Sequence, residues 1–427
     1  MELPQDFRAL LDEALAASCE PGQAIVRFEA ALEEESPACI RLNPWKKAHL
    51  PILDGAVPVP WSDEGWRLRS RPVYTLHPLF HAGAYYVQDA SSMFVGAVLR
   101  RVLRQPDILR RAEARPLQVL DLCAAPGGKT TDAAASLRKA FGDAFHLTAN
   151  EVNLRRASVL RDNVAVWGDP NVSVCSLPVS RLGALKDRFD IILVDAPCSG
   201  EGMFRKEPQA LSQWSPALVA ECAALQRKIL DDIAPALAPG GYLIYSTCTF
   251  NTRENEGSVT RLLERPDFRA LDLRNWMAEE EAAAQAAGEQ LLWAPLGTAS
   301  CGVRLLPGLV RGEGQFCALL QRGADADRPG RSLSSDLPGE KPFSRPAAGP
   351  ECPTGYRLDR SRWPNVPVDK QTALYFLHGD SLSLSDAPRG VLLLTYKDIP
   401  LGFVKNVGSR ANNLHPKSRR IKMDVRL

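Results

Sequence analysis

The sequence predicts an α/β fold built on an open, doubly wound sheet of mainly parallel strands. From about residue 116 to residue 248, short apolar runs alternate with amphipathic stretches of helical length. This alternation is typical of parallel strands joined by right-handed helical crossovers. Polar and thiol side chains also lie where the predicted strands end. Open α/β sheets bind their ligands at that edge, so these side chains predict a functional site there.

The elements follow one another in chain order. Strands are predicted at 116–122, 145–152, 171–176, 190–198 and 241–248. Helices are predicted at 131–140, 153–167 and 217–237, the last one ended by "APGG". Two later apolar runs, 302–308 and 314–322, predict a final antiparallel hairpin.

Changes in composition divide the 427-residue chain into four parts. Residues 1–84 precede the sheet and are predicted to form an N-terminal α+β domain, and 85–322 the sheet domain. Residues 323–350 hold four Gly, five Pro and four Ser, a composition typical of a linker. The apolar runs of 351–427 predict a small β-rich domain.

Charge excludes a polycationic protein, because 52 Lys and Arg face 50 Asp and Glu. A nucleic-acid surface must therefore come from local clustering. Such a cluster occurs at 401–427, where seven Lys and Arg face one Asp, and we expect it to bind phosphates. The N-terminus lacks the pattern of a signal peptide, and no apolar run is long enough to span a membrane. The sequence thus predicts a cytoplasmic protein without membrane association.

Metal sites are not predicted. The chain has ten cysteines, of which the closest two are sixteen residues apart, so there is no C-x-x-C pair. The six histidines show no ligand spacing.

A glycine-rich loop, "DLCAAPGGKTT" at 121–131, follows the first predicted strand and opens a helix. Gly127 and Gly128 allow the backbone to turn tightly and approach a ligand, and the free N–H groups of the helix start favour an anionic group. Glu151 ends the next strand, where a carboxylate suits two ribose hydroxyls. Together they favour a nucleoside site over an ordinary turn with a solvated glutamate, although the spacing matches neither G-x-G-x-x-G nor a P-loop.

Two cysteines end two further apolar runs, in "DAPCSGEGMFRK" at 195–206 and "YSTCTFN" at 245–251. Paired thiols make sense at a site that modifies C5 of a pyrimidine. A thiolate adds to C6 and makes C5 nucleophilic, and a second polar group must assist release. Asp195 lies three residues before Cys198 and could contact the base and stabilise the adduct. Such chemistry requires an unstacked nucleotide.

At these residues the chain resembles the Nop/Sun family of RNA cytosine-5 methyltransferases. The resemblance covers about 83–322. It is carried by "YYVQDASSM" (85–93), "DLCAAPGGKTT", "DAPCSGEGMFRK" and "YSTCTFNTRENEG" (245–257). "LPQDF", "PVPW" (58–61) and "NNLHPKSRRI" are similar to the bacterial branch that modifies 16S ribosomal RNA.

The resemblance implies roles for individual residues. Cys248 would be the nucleophile, Cys198 would assist release, and Asp195 would contact base and cofactor. The cofactor would be S-adenosylmethionine, bound by Cys123, Ala124, Ala125, Pro126, Gly127, Gly128, Lys129, Glu151, Ser176 and Asp195. It also implies a Rossmann-like methyltransferase sheet, an N-terminal RNA-recognition domain and a PUA-like RNA-binding domain. The implied partner is 16S rRNA or the small ribosomal subunit, rather than tRNA, and we expect a monomer.

Two positions depart from the family pattern. The third strand ends at Ser176, where the family usually has Asp, Asn or Glu near the adenine. Gly308 replaces a histidine that this branch often has. The first affects cofactor affinity, and the second affects substrate positioning at most.

Two alternatives remain open. A DNA cytosine-5 methyltransferase would use the Pro-Cys thiol as nucleophile, but Cys248 would then be surplus and no large target-recognition insert is evident. A non-catalytic RNA-binding factor would not need Asp195, Cys198 and Cys248 together.

Overall fold

The computed structural model describes residues 3–16, 20–297, 300–324, 355 and 358–426. The predicted linker at 323–350 falls outside these residues except for its first two positions. Cys19 and Cys352 also lie outside them. None of the helices in the described part of the chain is long and apolar enough to cross a membrane.

The described residues of the N-terminal part combine three helices with a small antiparallel sheet of strand order β2-β3-β1-β4. Its elements are α1 Gln5–Leu15, α2 Pro21–Leu32, β1 Cys39–Leu42, β2 Val57–Pro58, β3 Gly65–Arg67, α3 Pro78–His81 and β4 Tyr85–Val87. Strand β4 pairs with β1, so this sheet uses residues beyond the predicted boundary at residue 84. The boundary itself stays a prediction.

Nine strands form the central sheet, in the order β11-β12-β13-β9-β8-β5-β6-β7 with β10 paired to β13. Its strands are β5 Leu117–Asp121, β6 Phe145–Asn150, β7 Val172–Cys175, β8 Phe189–Asp195, β9 Leu237–Thr247, β10 Phe268–Ala270, β11 Leu292–Pro295, β12 Cys301–Leu305 and β13 Gln315–Arg322. The helices that precede and connect them are α4 Phe94–Leu103, α5 Pro106–Ala114, α6 Gly128–Phe141, α7 Leu154–Trp167, α8 Val179–Gly183, α9 Pro208–Gln213, α10 Pro216–Ile233, α11 Glu256–Leu263, α12 Leu273–Trp276 and α13 Ala278–Ala286.

The doubly wound arrangement is confirmed. Strands β5 to β9 pair in parallel, and β12 and β13 form the predicted antiparallel hairpin. Two apolar clusters cover the two faces of the sheet. One contains residues of α4, α6 and α7, and the other contains residues of α8, α10 and α11. The carboxyl ends of the parallel strands are therefore left open between two helical layers.

Several boundaries differ from the prediction. Helix α10 ends at Ile233, and "APGG" at 238–241 lies inside β9 rather than in a turn. Gly240 has a φ of 71°, and the pairing of β8 with β9 shifts between Phe189 and Ile191. Glycine tolerates such a kink within a strand. The predicted strand 190–198 ends at Asp195, so Cys198 lies in the following loop.

The C-terminal part is a four-stranded sheet with one helix. Its elements are β14 Asn365–Pro367, α14 Lys370–His378, β15 Gly390–Tyr396, β16 Ile399–Asn406 and β17 Ala411–Asn413. Its apolar residues form one core with those of the N-terminal part, since Leu374 and Leu394 belong to the same cluster as Ile40 and Leu79. Short 3₁₀ turns occur at Pro51–Leu53, Tyr74–Leu76, Glu201–Met203, Ala234–Ala236, Arg360–Arg362 and Lys417–Arg419.

Candidate active site

The glycine-rich loop connects β5 to α6 as the sequence predicts. Gly127 has a φ of 113°, a conformation that other residues rarely adopt. A Cβ atom on Gly128 would lie 3.4 Å from the Tyr86 ring. Asp121 is fully buried beneath the loop, where its Oδ2 accepts a 2.6 Å hydrogen bond from Thr130. Its Oδ1 has no hydrogen-bond partner in the described part of the chain, and burial raises the pKa of Asp121 to about 7.

Lys129 reaches from this loop to the end of β8. Its Nζ lies 2.8 Å from Asp195 Oδ2 and donates a 3.0 Å hydrogen bond to Ser92. Burial alone would lower the pKa of Lys129, but the Asp195 carboxylate outweighs that effect and raises it. Asp195 Oδ1 accepts hydrogen bonds from Ser246 at 2.8 Å and from Gln315 at 3.3 Å. Side chains from α6, β9 and β13 thus hold the carboxylate at the sheet edge.

The two thiols meet beside this ion pair, with Cys198 Sγ 3.3 Å from Cys248 Sγ. The neighbouring strands β8 and β9 bring them together, because Asp195 pairs with Ser246 and each cysteine follows shortly after. The hydrogen bond with Cys198 lowers the pKa of Cys248, and Lys129 lowers it further against burial and Asp195. The pKa of Cys198 is raised well above its usual value by the same bond and by burial. Cys248 is therefore the more acidic thiol of the pair.

The two glycines that follow Cys198 are each required by a different feature of the local structure. Gly200 has a φ of 75° and turns the chain into a short 3₁₀ helix. Gly202 donates its N–H to the Cys248 carbonyl at 2.8 Å. A Cβ atom on Gly202 would lie 2.7 Å from that carbonyl oxygen and 2.8 Å from the one of Glu313. The close approach of the two cysteine loops therefore excludes any side chain at 202.

A buried polar network beneath the thiols was not predicted from the sequence. Glu201 accepts hydrogen bonds from the amide N–H groups of Phe250 and Asn251 at 2.6 and 3.1 Å. Glu254 accepts one from the Ser199 amide at 3.0 Å, and the Asn251 side chain donates to both carboxylates. The network ties the loop after β8 to the loop after β9. The sequence feature that could have predicted this network is the set of polar residues that follows each cysteine in the two motifs.

Glu151 and Ser176 lie at the ends of β6 and β7. Glu151 is buried, its Oε1 accepts the Asn153 amide N–H at 2.9 Å, and its Oε2 lies 3.4 Å from Arg156. Ser176 is half-buried and makes a 3.4 Å hydrogen bond to the Val152 carbonyl. The adjacent Leu177 N–H is held by Asn150 Oδ1 at 2.8 Å. The structure thus places all the predicted site residues along one edge, with the thiols and Asp195 nearest β9 and Ser176 farthest away.

Local packing explains why position 308 is a glycine. Its φ is 84°, and a Cβ atom there would lie 2.1 Å from the carbonyl oxygen of Arg27 in α2. A histidine does not fit this packing, so the departure from the family pattern belongs to the contact with α2. Among the described residues, no three His, Cys, Asp or Glu side chains are grouped as metal ligands would be.

Family models match three consecutive parts of the chain. One described as 16S rRNA methyltransferase RsmB/F matches residues 109–321. The N-terminal domain of 16S rRNA methyltransferase RsmF matches 3–90, and the methyltransferase RsmF PUA domain matches 364–421.

Whole-chain comparisons agree with these models. Ribosomal RNA small subunit methyltransferase F of Pectobacterium carotovorum is 36% identical over 368 residues, which cover 82% of this chain and 68% of that one. Its namesake from Cronobacter sakazakii is 38% identical over 277 residues, 62% of this chain and 54% of its own. The chain spans only about half the length of several such relatives.

A solved structure, a methyltransferase homologue from Pyrococcus horikoshii, superposes with a TM-score of 0.53 at 28% identity. The superposition covers 74% of this chain and 99% of that one. The fold is therefore the Rossmann-like methyltransferase fold with a PUA-like C-terminal domain, as the sequence predicts. Since the Pectobacterium relative is 36% identical over an alignment that covers 82% of this chain and 68% of its own length, the chain belongs to the 16S rRNA methyltransferase RsmB/F family.

Proposed function

We propose that this protein methylates C5 of a cytosine in 16S rRNA through a covalent adduct between Cys248 and C6 of the base. The family models and the names of the relatives support an rRNA methyltransferase. The observation that carries the adduct mechanism is the 3.3 Å contact of the two sulfurs beside the Lys129–Asp195 ion pair. An RNA substrate of this kind is consistent with the cytoplasmic localisation that the sequence predicts.

The first step uses Cys248 as the nucleophile, and its lowered pKa favours the thiolate form that attacks. Its sulfur attacks C6, the new S–C6 bond forms, and the C5=C6 electron pair becomes available at C5. Negative charge also develops on the polar edge of the ring. Lys129 and the groups around Asp195 lie where they can stabilise that edge, and they are already held in place by hydrogen bonds.

Release follows from the coupling between the thiols. Once the sulfur of Cys248 is bonded to carbon, it no longer carries the charge or the hydrogen bond that raises the pKa of Cys198. After C5 has received the methyl group, the Cys198 thiol gives its proton to solvent, and the thiolate formed takes the proton from C5. The C5–H electron pair re-forms the C5=C6 double bond, the S–C6 bond breaks, and Cys248 leaves as thiolate.

The residues at the sheet edge fit S-adenosylmethionine, which supplies the methyl group when it is bound. Asp121 offers a buried acceptor, Oδ1, without a partner among the described residues beneath the glycine-rich loop, as a cationic amino group would require. The proposed cofactor residues are those from Cys123 to Lys129, together with Glu151, Ser176 and Asp195. Glu151 is buried and suited to ribose hydroxyls.

The substrate assignment is tested by methyl transfer from radiolabelled S-adenosylmethionine to 16S rRNA and to DNA of equal length. The proposal expects label in the RNA alone, at a cytosine that bisulfite sequencing then locates. Label in DNA would favour the alternative enzyme class. No transfer to either, with the cofactor bound, would favour an RNA-binding factor.

A further inference from the structure

A cavity rich in arginine lies outside the candidate active site, between α2, the N-terminal sheet and the segment that connects β12 to β13. Its volume is about 580 Å³, within the range of pockets that bind ligands. None of the thiols or proposed cofactor residues lines it. Its described lining holds two glutamates, Glu34 and Glu289, and five arginines: Arg27, Arg67, Arg69, Arg205 and Arg311. Positive charge is therefore concentrated here, in a chain whose 52 Lys and Arg are nearly balanced by 50 Asp and Glu.

Two of these arginines are buried and already paired. Arg67 Nη1 lies 2.8 Å from Glu289 Oε1, and Arg205 Nε lies 3.0 Å from Glu313 Oε2, with all four side chains at most 6% exposed. The first pair also holds the backbone of Arg311. Its carbonyl accepts a 3.2 Å hydrogen bond from Arg67 Nε, and its N–H donates to Glu289 Oε2 at 3.1 Å. The buried pairs therefore fix the shape of the cavity and add no net charge to it.

The other three, Arg27, Arg69 and Arg311, are called here the accessible arginines. Arg69 and Arg311 are exposed and Arg27 is half-buried. In the described part of the chain none of them has a carboxylate partner, and the Arg311 guanidinium makes a single 3.3 Å hydrogen bond, to the Ala287 carbonyl.

Three guanidinium groups from separate segments thus line one cavity. Like charges in a cleft repel each other and together attract an anion. The planar fork of each guanidinium matches the oxygens of a phosphate. The described lining therefore selects a phosphate-like anion over a cationic or apolar ligand.

One wall of this cavity continues into the loops that carry the thiols. Arg205 belongs to the same sequence motif as Cys198, and its partner Glu313 packs against Gly202. A Cβ atom on Gly202 would lie 2.8 Å from the Glu313 carbonyl oxygen, and the Gly202 N–H donates to the Cys248 carbonyl at 2.8 Å. A polymer whose base reaches the thiols can therefore place a neighbouring phosphate in the cavity.

We infer that this cavity binds one backbone phosphate of the substrate RNA, close in sequence to the methylated cytosine, through Arg27, Arg69 and Arg311. The choice of RNA over a small phosphate ligand rests on the proposed function. Phosphate contacts position a nucleic acid without reading its sequence. The cavity thus fixes the register of the RNA, and the choice of base stays with the active site.

Replacing the accessible arginines tests the inference. The triple variant Arg27→Gln, Arg69→Gln and Arg311→Gln should raise Kd and KM for in vitro transcribed 16S rRNA about tenfold. It should leave kcat unchanged, because a contact away from the reacting atoms binds the ground and transition states equally. The slope of log affinity against log salt should fall by about 0.7 to 0.9, the change for one phosphate. Affinity for S-adenosylhomocysteine should not change.

Two further triple variants separate a local charge effect from other causes. Arg110, Arg181 and Arg227 are also exposed and do not line the cavity, so their replacement by Gln removes the same charge and should leave Kd and slope as in the wild type. Replacement of the accessible arginines by Lys keeps the charge and should retain the slope. A lysine variant as weak as the glutamine variant would mean that the arginines act through packing, which contradicts the inference.

Ethylation interference then locates the phosphate. With RNA ethylated at random phosphates, the wild type should bind poorly when one phosphate near the methylated cytosine is ethylated, and the glutamine variant should lose this discrimination. Unchanged RNA affinity, or the same interference pattern in both proteins, would overturn the inference. Unchanged RNA affinity together with saturable binding of inorganic phosphate by the wild type alone would assign the cavity to a small anion. Failure of the proposed function is distinguishable, because the wild-type protein itself would then not methylate 16S rRNA.

Discussion

Cys198 and Cys248 are fifty residues apart in the chain, yet their sulfur atoms lie 3.3 Å from each other. The adjacent parallel strands β8 and β9 cause this proximity, and the network around Glu201 and Glu254 maintains it. The contact separates the two pKa values, since it lowers that of Cys248 and raises that of Cys198. Two chemically identical groups thereby differ in acidity.

The charge of Lys129 should set the reactivity of Cys248. A nearby cation favours the thiolate, so Lys129→Gln removes a stabilising charge and leaves Asp195 uncompensated. Both effects raise the pKa of Cys248. The rate of Cys248 alkylation can be measured by mass spectrometry as a function of pH. We expect the midpoint of this pH profile to lie at a higher pH in the variant than in the wild type. A midpoint higher by one pH unit slows the reaction at neutral pH about tenfold.

Lys139→Gln is the control for this experiment, because Lys139 lies on the same helix but is 65% exposed and pairs with Asp63. An unchanged midpoint in Lys129→Gln, or an equal change in the control, would show that Lys129 does not activate the thiol.

Ser176 should limit cofactor affinity. Its hydroxyl makes only a 3.4 Å hydrogen bond to the Val152 carbonyl, at a position where the resemblance to the Nop/Sun family implies an acidic or amide side chain. Ser176→Asp adds a charge-assisted acceptor worth roughly 1.5–3 kcal/mol, so titration calorimetry should show S-adenosylhomocysteine binding about tenfold to a hundredfold tighter. Ser180→Asp, an exposed position on α8, controls for added charge. Equal or weaker binding by Ser176→Asp would mean that another group already contacts the adenine.

The fold was largely predictable from the sequence, because strand and helix periodicity, strand-end residues and the glycine loop are local patterns. The final hairpin was predicted for the same reason. The predicted ends of elements were wrong where the sequence pattern was ambiguous. At 238–241 the small residues resemble a turn, but they lie within β9, which accommodates them through the positive φ of Gly240. The strands of the N-terminal sheet could not be predicted individually, because they have only two to four residues each.

The location of the motif residues at one edge of the sheet was predictable, whereas their long-range partners were not. Nothing in the sequence connects Lys129 to Asp195 across sixty-six residues, or Arg419 to Asp162 across 257. The basic tail at 401–427 is an example of a predicted feature that is modified by a long-range contact. The sequence predicts that it contacts phosphates, but Arg419 is engaged in this ion pair, and only some of the tail's cations remain exposed.

The exposed cations of the tail should contribute to RNA binding by electrostatics. Deleting the whole domain would expose the core that it shares with the N-terminal part, so neutralisation is the cleaner change. Lys405, Lys417 and Lys422 are exposed, and we expect their triple replacement by Gln to flatten the salt dependence of RNA binding. The slope of log affinity against log salt should fall by about 0.7 to 0.9 for each phosphate that the variant no longer neutralises.

The matched control for the tail replaces Lys139, Lys186 and Lys228 by Gln, since these are also exposed and remove the same charge. The methylated nucleotide should not change in either variant, because phosphate contacts position without specifying. A slope that is the same in both triple variants would refute a specific role for the tail.

Gly202 should be essential for the geometry of the thiols. In Gly202→Ala the new Cβ atom would clash with the backbone oxygens of Cys248 and Glu313. Forcing the two loops apart should cost about 1–3 kcal/mol and abolish most activity, measurable by denaturant unfolding and methyl transfer. Gly22→Ala in α2 is the control, because a Cβ atom there meets nothing within 4 Å. Wild-type stability and activity in Gly202→Ala would contradict the packing described here.

The most direct test of the adduct mechanism is a denaturing gel of protein mixed with 16S rRNA and S-adenosylmethionine. Cys198→Ala should give a slow-migrating covalent protein–RNA band, because attack by Cys248 still occurs but release fails. Cys248→Ala, and the double variant, should give no band and no methylated RNA. A band with Cys248→Ala and none with Cys198→Ala would reverse the roles of the thiols and contradict the mechanism.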